Sequence, residues 1–320
     1  MTSDQIPLDD LQRSIDDALR LLRREGGSAL DSAGLLAEPL PSLLAQCETL
    51  CAQAPDTAPI RSIHHFACTG GTLISRCLAT MPNITLLSEI DPLSRMQTAT
   101  PQYPFLPTDL IYGARVALRP IDDSQTMELF DAALASLHQI LSARGSYLVL
   151  RDHAHSQFCS DTAPVDRPTL RELIARSAPV LSVVTVRHPL DSWLSLKNNN
   201  WVHFTPGTLE EYSQRYLHFL SLYRGQKKVR YEDFVAAPDR VLEEICNSLD
   251  LAFVPGSEDL VQVVSISGDS GRKTGPIAPR PRRAIPDDVA NEAAQSAGYA
   301  QLCDALGYDP DVAISAAGDE

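Results

Sequence analysis

The sequence predicts an α/β fold, a parallel sheet flanked by helices, preceded by a helical N-terminal extension. Three observations carry that prediction. From residue 59 onward, short apolar runs with β-branched residues alternate with segments of helical periodicity, as parallel strands joined by crossover helices require. The stretch Ala54-Pro55-Asp56-Thr57-Ala58-Pro59 reads as a linker, which divides the chain into a helical extension, 1–58, and an α/β domain, 59–320. Apolar residues make up 44% of the chain and charged residues 21%, so a sizeable core can form and broad disorder is excluded.

The elements follow in order. In the extension, Ile6, Leu8, Leu11, Ile15, Leu19 and Leu22 recur at helical spacing until Gly26 and Gly27 supply a stop. A second apolar run covers Leu35 to Leu50. Beyond the linker, strands are expected at 62–66, 84–87, 147–150 and 180–186, with a weaker one at 228–231. Helices are expected at 72–80, 124–143, 169–176, 189–197, 209–223 and 238–249, with a last one near 287–306. Residues 257–285, rich in Ser, Gly, Pro and Arg, read as a long loop of the kind that is functional or disordered.

Charge and cysteine usage narrow the function classes. The net charge of −14, from 27 basic and 41 acidic residues, argues against a nucleic-acid partner while leaving room for a local basic pocket. Seven cysteines are scattered without a CxxC, and Cys47 and Cys51 alone do not make a structural zinc site. That usage favours a reducing compartment. The start, MTSDQIPLDD, has neither a basic nor an apolar signal region, and no run of about eighteen apolar residues occurs. A cytoplasmic protein with no membrane span is the expectation.

Two segments carry phosphate chemistry. Residues 62–66 lead as a strand into Ala67-Cys68-Thr69-Gly70-Gly71-Thr72 and then a helix. Glycines let backbone approach an anion, and a helix N-terminus offers N–H groups and a positive dipole end. Thr69 and Thr72 add hydroxyls. The turn reads equally as an ordinary helix cap, and the Walker lysine is absent. Further on, the apolar run 183–186 ends in Arg187, with Pro189 fit for a first helical position and Ser195 eight residues beyond the arginine. An Arg and a Ser so placed, at the carboxyl end of a buried strand, can hold one phosphate from two sides. The plainer reading pairs Arg187 with Asp191.

These residues resemble the PAPS-dependent sulfotransferase superfamily, whose donor is 3′-phosphoadenosine 5′-phosphosulfate (PAPS). The segment Cys68-Thr69-Gly70-Gly71-Thr72-Leu73 resembles that family's 5′-phosphosulfate loop, Lys/Arg-Ser-Gly-Thr-Thr-Leu/Trp. The segment from Val186 to Ser195 is similar to its 3′-phosphate element, and Tyr231-Glu232-Asp233 with Pro238 to its Tyr-Glu-Asp segment near the nucleotide. Gly271-Arg272-Lys273 more weakly resembles its late loop over the 3′-phosphate. The matches stand in the family's order over roughly 62–285 and leave the extension uncovered.

The resemblance implies a P-loop-like sheet and sulfuryl transfer from PAPS, leaving PAP, to a hydroxyl or amine of a small-molecule or carbohydrate acceptor, without a metal. It assigns the nucleotide to Cys68, Thr69, Gly70, Gly71, Thr72, Arg187, Ser195, Tyr231, Arg272 and Lys273. Where the family's strand ends in Lys-x-His, this chain has Arg151-Asp152-His153, which makes His153 the implied base, with His155 its competitor. Cys68 stands where the family has a cation; Arg151, Arg272, Lys273, Arg280, Arg282 or Arg283 is then needed to supply it. The acceptor is expected against 90–125 and 197–208, with Tyr103, Phe105, Tyr112, Trp201, His203 and Phe204 as aromatic walls and Asn198, Asn199 and Asn200 as polar contacts. The extension reads as a helical cap or, alternatively, as an arm for homodimerisation or acceptor selection. The rival functions are a catalytically weak or inactive PAP-binding protein and an ATP-dependent phosphotransferase.

Overall fold

A computed structural model describes residues 13, 16–17, 20, 42–46, 57–94, 96, 109–115, 117–161, 164, 166–256, 260–261, 264, 277–280 and 282–311. The chain divides into two compact units, Met1–Pro55 and Asp56–Glu320. In the first, residues 13, 16–17, 20 and 43–46 are helical.

The second unit is built on five parallel strands in the order β2-β3-β1-β5-β7. They are β1 (Ile60–His65), β2 (Ile84–Ile90), β3 (Tyr147–Asp152), β5 (Val180–Val186) and β7 (Lys227–Arg230). β4 (Ser160–Asp161) and β6 (His203–Phe204) form a separate two-stranded parallel pair. The described helices are α1 (Gly71–Leu78), α2 (Leu110–Arg115), α3 (Asp123–Ser142), α4 (Ala154–Phe158), α5 (Leu170–Ala175), α6 (Pro189–Asn198), α7 (Leu209–Leu222), α8 (Tyr231–Ala236), α9 (Pro238–Ser248), α10 (Asp287–Gln295) and α11 (Ala297–Leu306).

Alternation along the strands assigns the helices to faces. Ile63, Val149, Val183 and Val229 share a core with Leu73, Ile74, Cys77 and Leu78 of α1 and with Val241, Leu242 and Ile245 of α9. Their neighbours in sequence point the other way. Leu148 and Leu150 meet α3 and α5, and Val184 and Val186 meet α6, α7 and α11. The sheet is thus covered on both faces, as continuous apolar strands require.

Local chemistry fixes several ends. Asp122 and Thr169 start α3 and α5 with reciprocal capping boxes. Pro189 opens α6. Two expectations change. Tyr231 is not the end of a strand but the first residue of α8, because β7 stops at Arg230. The last helix is two, since Ser296 leaves helical geometry and caps α11 through the Tyr299 N–H at 2.9 Å.

Strand order places the site. From β1 the chain crosses β3 to reach β2, while from β5 it runs outward to β7 on the other side. The connections diverge at the carboxyl ends of β1 and β5, where an open parallel sheet forms its crevice.

Candidate functional site

The turn after β1 forms one wall. Phe66 is wholly buried and stacks on Tyr216 at 4.5 Å between ring centres, so the chain must reverse just beyond it. Cys68 and Gly70 take left-handed backbone, with φ of 63° and 89°. Thr69 is fully buried, and its hydroxyl donates to the Phe66 carbonyl at 2.9 Å. That hydroxyl therefore braces the turn rather than serving as the anion donor expected from sequence. No side chain caps α1, so its first turn faces the cavity. Both glycines are required by close approach. A Cβ on Gly70 would lie 2.3 Å from Cδ2 of Tyr231, and one on Gly71 would lie 2.5 Å from the His65 ring.

The end of β5 supplies the facing wall. The Arg187 guanidinium lies 4.7 Å from the Tyr231 ring centre and 3.5 Å from the Cys68 carbonyl, to which it donates. The pairing with Asp191 is not made. Asp191 instead accepts a two-pronged contact from Arg282, at 2.8 and 3.0 Å. Arg282 is thereby held on Asp191, whereas Arg187 keeps its guanidinium on the cavity. Ser195, two turns along α6, also lines the cavity. Burial pushes the Cys68 thiol up, against contacts from Ser195 and Asn199 and the charge of Arg187, which pull it down. The thiol is therefore no ready thiolate.

A third wall comes from β2 and β3. The register of their pairing shifts between Leu87 and Ile90, and Glu89 takes a φ of 60°. The bulge turns Ser88 and Glu89 toward β3. Ser88 Oγ accepts from Arg151 Nε at 3.0 Å, and Glu89 Oε1 accepts from Arg151 Nη2. The other oxygen, Oε2, lies 3.1 Å from His153 Nε2. The backbone holds this pair in place, because the His153 N–H donates to the Ile90 carbonyl at 3.2 Å. Arg151 is wholly buried and reaches the glycine turn by donating to Thr72 Oγ1 at 3.2 Å.

Beneath lies a buried polar chain. His64 Nδ1 is 2.8 Å from Asp152 Oδ2, which also accepts from the Tyr223 hydroxyl at 3.0 Å, and His64 Nε2 is 2.9 Å from Ser62 Oγ. Burial works to raise Asp152, but His64 and Tyr223 hold it below the usual carboxylate range. Burial lowers His153, and the carboxylates of Asp91 and Asp152 oppose it. Burial, with the Arg151 charge, takes His65 down to about 3. His65 and His153 therefore sit at the cavity as neutral imidazoles near neutral pH.

The cavity holds about 280 Å³, and Met96, His155, Trp201 and His203 complete its lining. Among the described residues, no group of three or more His, Cys, Asp or Glu is placed to hold a metal ion. No helix among them is long and apolar enough to cross a membrane.

No protein-family model matches the chain, and no curated protein matches it. Solved structures do. The chain is similar to the sulfotransferase domain of a Synechococcus olefin synthase, at 19% identity over 80% of this chain and 98% of that one, with a TM-score of 0.46. It is similar to the sulfotransferase domain from the curacin biosynthetic pathway, at 17% identity over 79% and 99%, with a TM-score of 0.44. A mouse sulfotransferase complexed with PAP is matched at 11% identity over 80% and 92%, with a TM-score of 0.37. These solved neighbours are sulfotransferases.

The cavity gathers Cys68, Thr69, Gly70, Gly71, Thr72, His153, Arg187, Ser195 and Tyr231 from four separate stretches of sequence. Arg151 stands behind the turn and is not exposed to the cavity. Arg272 and Lys273, like Tyr103 and Phe105, lie outside the described residues. Of the expected aromatic walls, Trp201 and His203 line the cavity, while Phe204 is buried in the core beside Trp193 and Arg215. Tyr112 and the side chains of Asn198 to Asn200 are not among the lining residues. Sequence reasoning missed Glu89 and His65. A local pattern could have flagged His65 as the last residue of the strand before the glycine turn, but Glu89 enters only through the bulge.

Proposed function

We propose that the protein is a sulfotransferase that moves the sulfuryl group of PAPS to an acceptor hydroxyl. The observation that carries this reading is the meeting of the glycine turn after β1 with Arg187 and Ser195 after β5, in one crevice whose far wall holds the Glu89–His153 pair. The cradle fits an anion, because the two glycines are pressed between Tyr231 and His65 and backbone rather than side chain faces the cavity.

In this reading the first turn of α1 takes the 5′-phosphosulfate, and Arg187 with Ser195 takes the 3′-phosphate. Glu89 accepts a hydrogen bond from His153 Nε2–H and fixes its tautomer, so Nδ1 is left as the base. The acceptor O–H gives its proton to His153. Its oxygen forms the new bond to sulfur as the bond from sulfur to the bridging phosphate oxygen breaks, and PAP leaves with that electron pair. Positioning and charge stabilisation supply the catalysis. Arg151 takes the part of the cation missing at Cys68, acting through Thr72: a hydroxyl that accepts from a guanidinium is polarised toward donating its own proton.

The test is release of PAP from PAPS in the presence of a hydroxyl-acceptor panel, with His153→Asn alongside. Turnover in the wild type, reduced about 100-fold or more in the variant, is the expected result. PAP binding without turnover would assign the chain to the inactive binding proteins, and turnover unchanged in His153→Asn would remove His153 as base.

A further inference from the structure

The outer part of the cavity is chemically one-sided. His155, Trp201 and His203 form a wall of rings meeting edge to face. His155 and Trp201 are 6.3 Å apart at 76°, and His155 and His203 are 5.3 Å apart at 79°. His155 Nε2 and His203 Nδ1 lie 3.2 Å apart, so this contact consumes one ring nitrogen of each. Burial, with His153 and His203 nearby, takes His155 down to about 3, which leaves that ring uncharged near neutral pH. Met96 adds a thioether. The Glu89 carboxylate, the anion at this end, has one oxygen on Arg151 and the other on His153. Among the described residues, then, the outer wall offers faces and edges of rings, and its one carboxylate, Glu89, is paired.

We propose that this end of the cavity selects an uncharged, flat, apolar acceptor with a single reacting hydroxyl, over anionic acceptors and carbohydrates. The inference rests on the sulfotransferase reading and deepens it. A carboxylate buried here would meet no Lys or Arg among the described residues of this wall, Arg187 standing at the far side beside Cys68 and Tyr231. A sugar would bring several hydroxyls to a wall made mostly of ring faces, where one nitrogen each of His155 and His203 is already taken, and each unpaired hydroxyl lowers affinity. A flat ring instead stacks against Trp201 and His155 and reaches the Glu89–His153 pair with its one hydroxyl. The volume of about 280 Å³, shared with the phosphosulfate, suits one small ring system rather than a polymer at the reacting end.

The test compares β-naphthol, a hydroxynaphthoate of the same ring size and N-acetylglucosamine. Binding to the PAP-loaded protein is measured by calorimetry, PAP binding is measured alone, and turnover is read as PAP release from PAPS. The naphthol is expected to bind at least about tenfold tighter than either competitor and to be the best acceptor. Trp201→Ala should weaken naphthol about tenfold with PAP affinity unchanged, and Trp201→Phe should restore most of it. Because Trp201 packs against the core, His203→Glu at the exposed end of the wall gives a second variant, expected to weaken naphthol without touching PAP. Equal or tighter binding of the hydroxynaphthoate or the sugar, or no naphthol binding while PAP binds, overturns this inference and leaves the sulfotransferase reading standing. Absence of PAP binding overturns the reading beneath it.

Discussion

Gly70 and Gly71 each answer a different demand. Gly70 needs left-handed backbone against the Tyr231 ring, and Gly71 needs room beneath His65. Gly70→Ala should lose about 1–2 kcal/mol from backbone conformation alone, with a further loss as Tyr231 is displaced. Gly71→Ala should weaken PAP more than it lowers the melting temperature, because it moves His65 into the cradle. Thermal melts with calorimetry on both variants check this, and PAP affinity unchanged in Gly71→Ala would contradict it. The protonated thiol of Cys68 makes a milder forecast: Cys68→Ser should keep activity within about threefold, whereas a nucleophilic thiol would lose nearly all of it. The proposed base, His153, sets the expected pH profile. His153 is lowered, so its neutral form persists below the ordinary value of about 6.5, and the rate should fall only at lower pH. Asp152 opposes that lowering, so Asp152→Asn should move the acid limb lower still, where a purely structural role would reduce stability and leave the limb in place.

Elements are joined at this site by contacts that sequence distance hides. Glu232, in the first turn of α8, accepts from the His188 N–H at 3.0 Å and from the Tyr308 hydroxyl at 2.7 Å. It thereby ties the start of α6, beside Arg187, to the chain beyond α11. Glu232→Ala should destabilise by about 2–4 kcal/mol, since both bonds involve a charged acceptor, and should loosen the wall proposed to take the 3′-phosphate. Denaturant melts would show it, and a loss under about 0.5 kcal/mol would place the tie at the level of an ordinary surface contact.

The same hidden distances explain what was legible. Strands and helices were readable because burial on two faces writes continuous apolar runs and helical stripes into the sequence. The glycine turn, Arg187 and Ser195 were readable because each sits within one strand-turn-helix unit. Glu89 was not, because its place depends on a register shift against β3. Nor was the partner of Asp191, since Arg282 lies 91 positions away. Phe204 read as a wall because nothing local says that its ring turns to Trp193 and not to the cavity.

The whole molecule carries a net charge of −14, so the proposed anion binding would have to come from local fields, chiefly Arg187 and the α1 terminus. Buried neutral imidazoles have a global consequence. His65 and His155, both near 3 when folded, titrate near 6.5 when unfolded, so between those values the unfolded chain binds more protons. Stability should therefore rise with pH through that window and fall as the protein is acidified. A melting temperature that is flat from about pH 6.5 to 4 would contradict it. The proposed function requires a nucleotide site that reads a 3′-phosphate. Its direct measurement is thermal stabilisation by PAP, with AMP and Mg-ATP as controls, in wild type and Arg187→Ala. At about one hundred times Kd, stabilisation of about 2.7 kcal/mol is predicted for PAP alone, and it should vanish in the variant. No shift with PAP, or an equal shift with Mg-ATP, would contradict a 3′-phosphate site at Arg187.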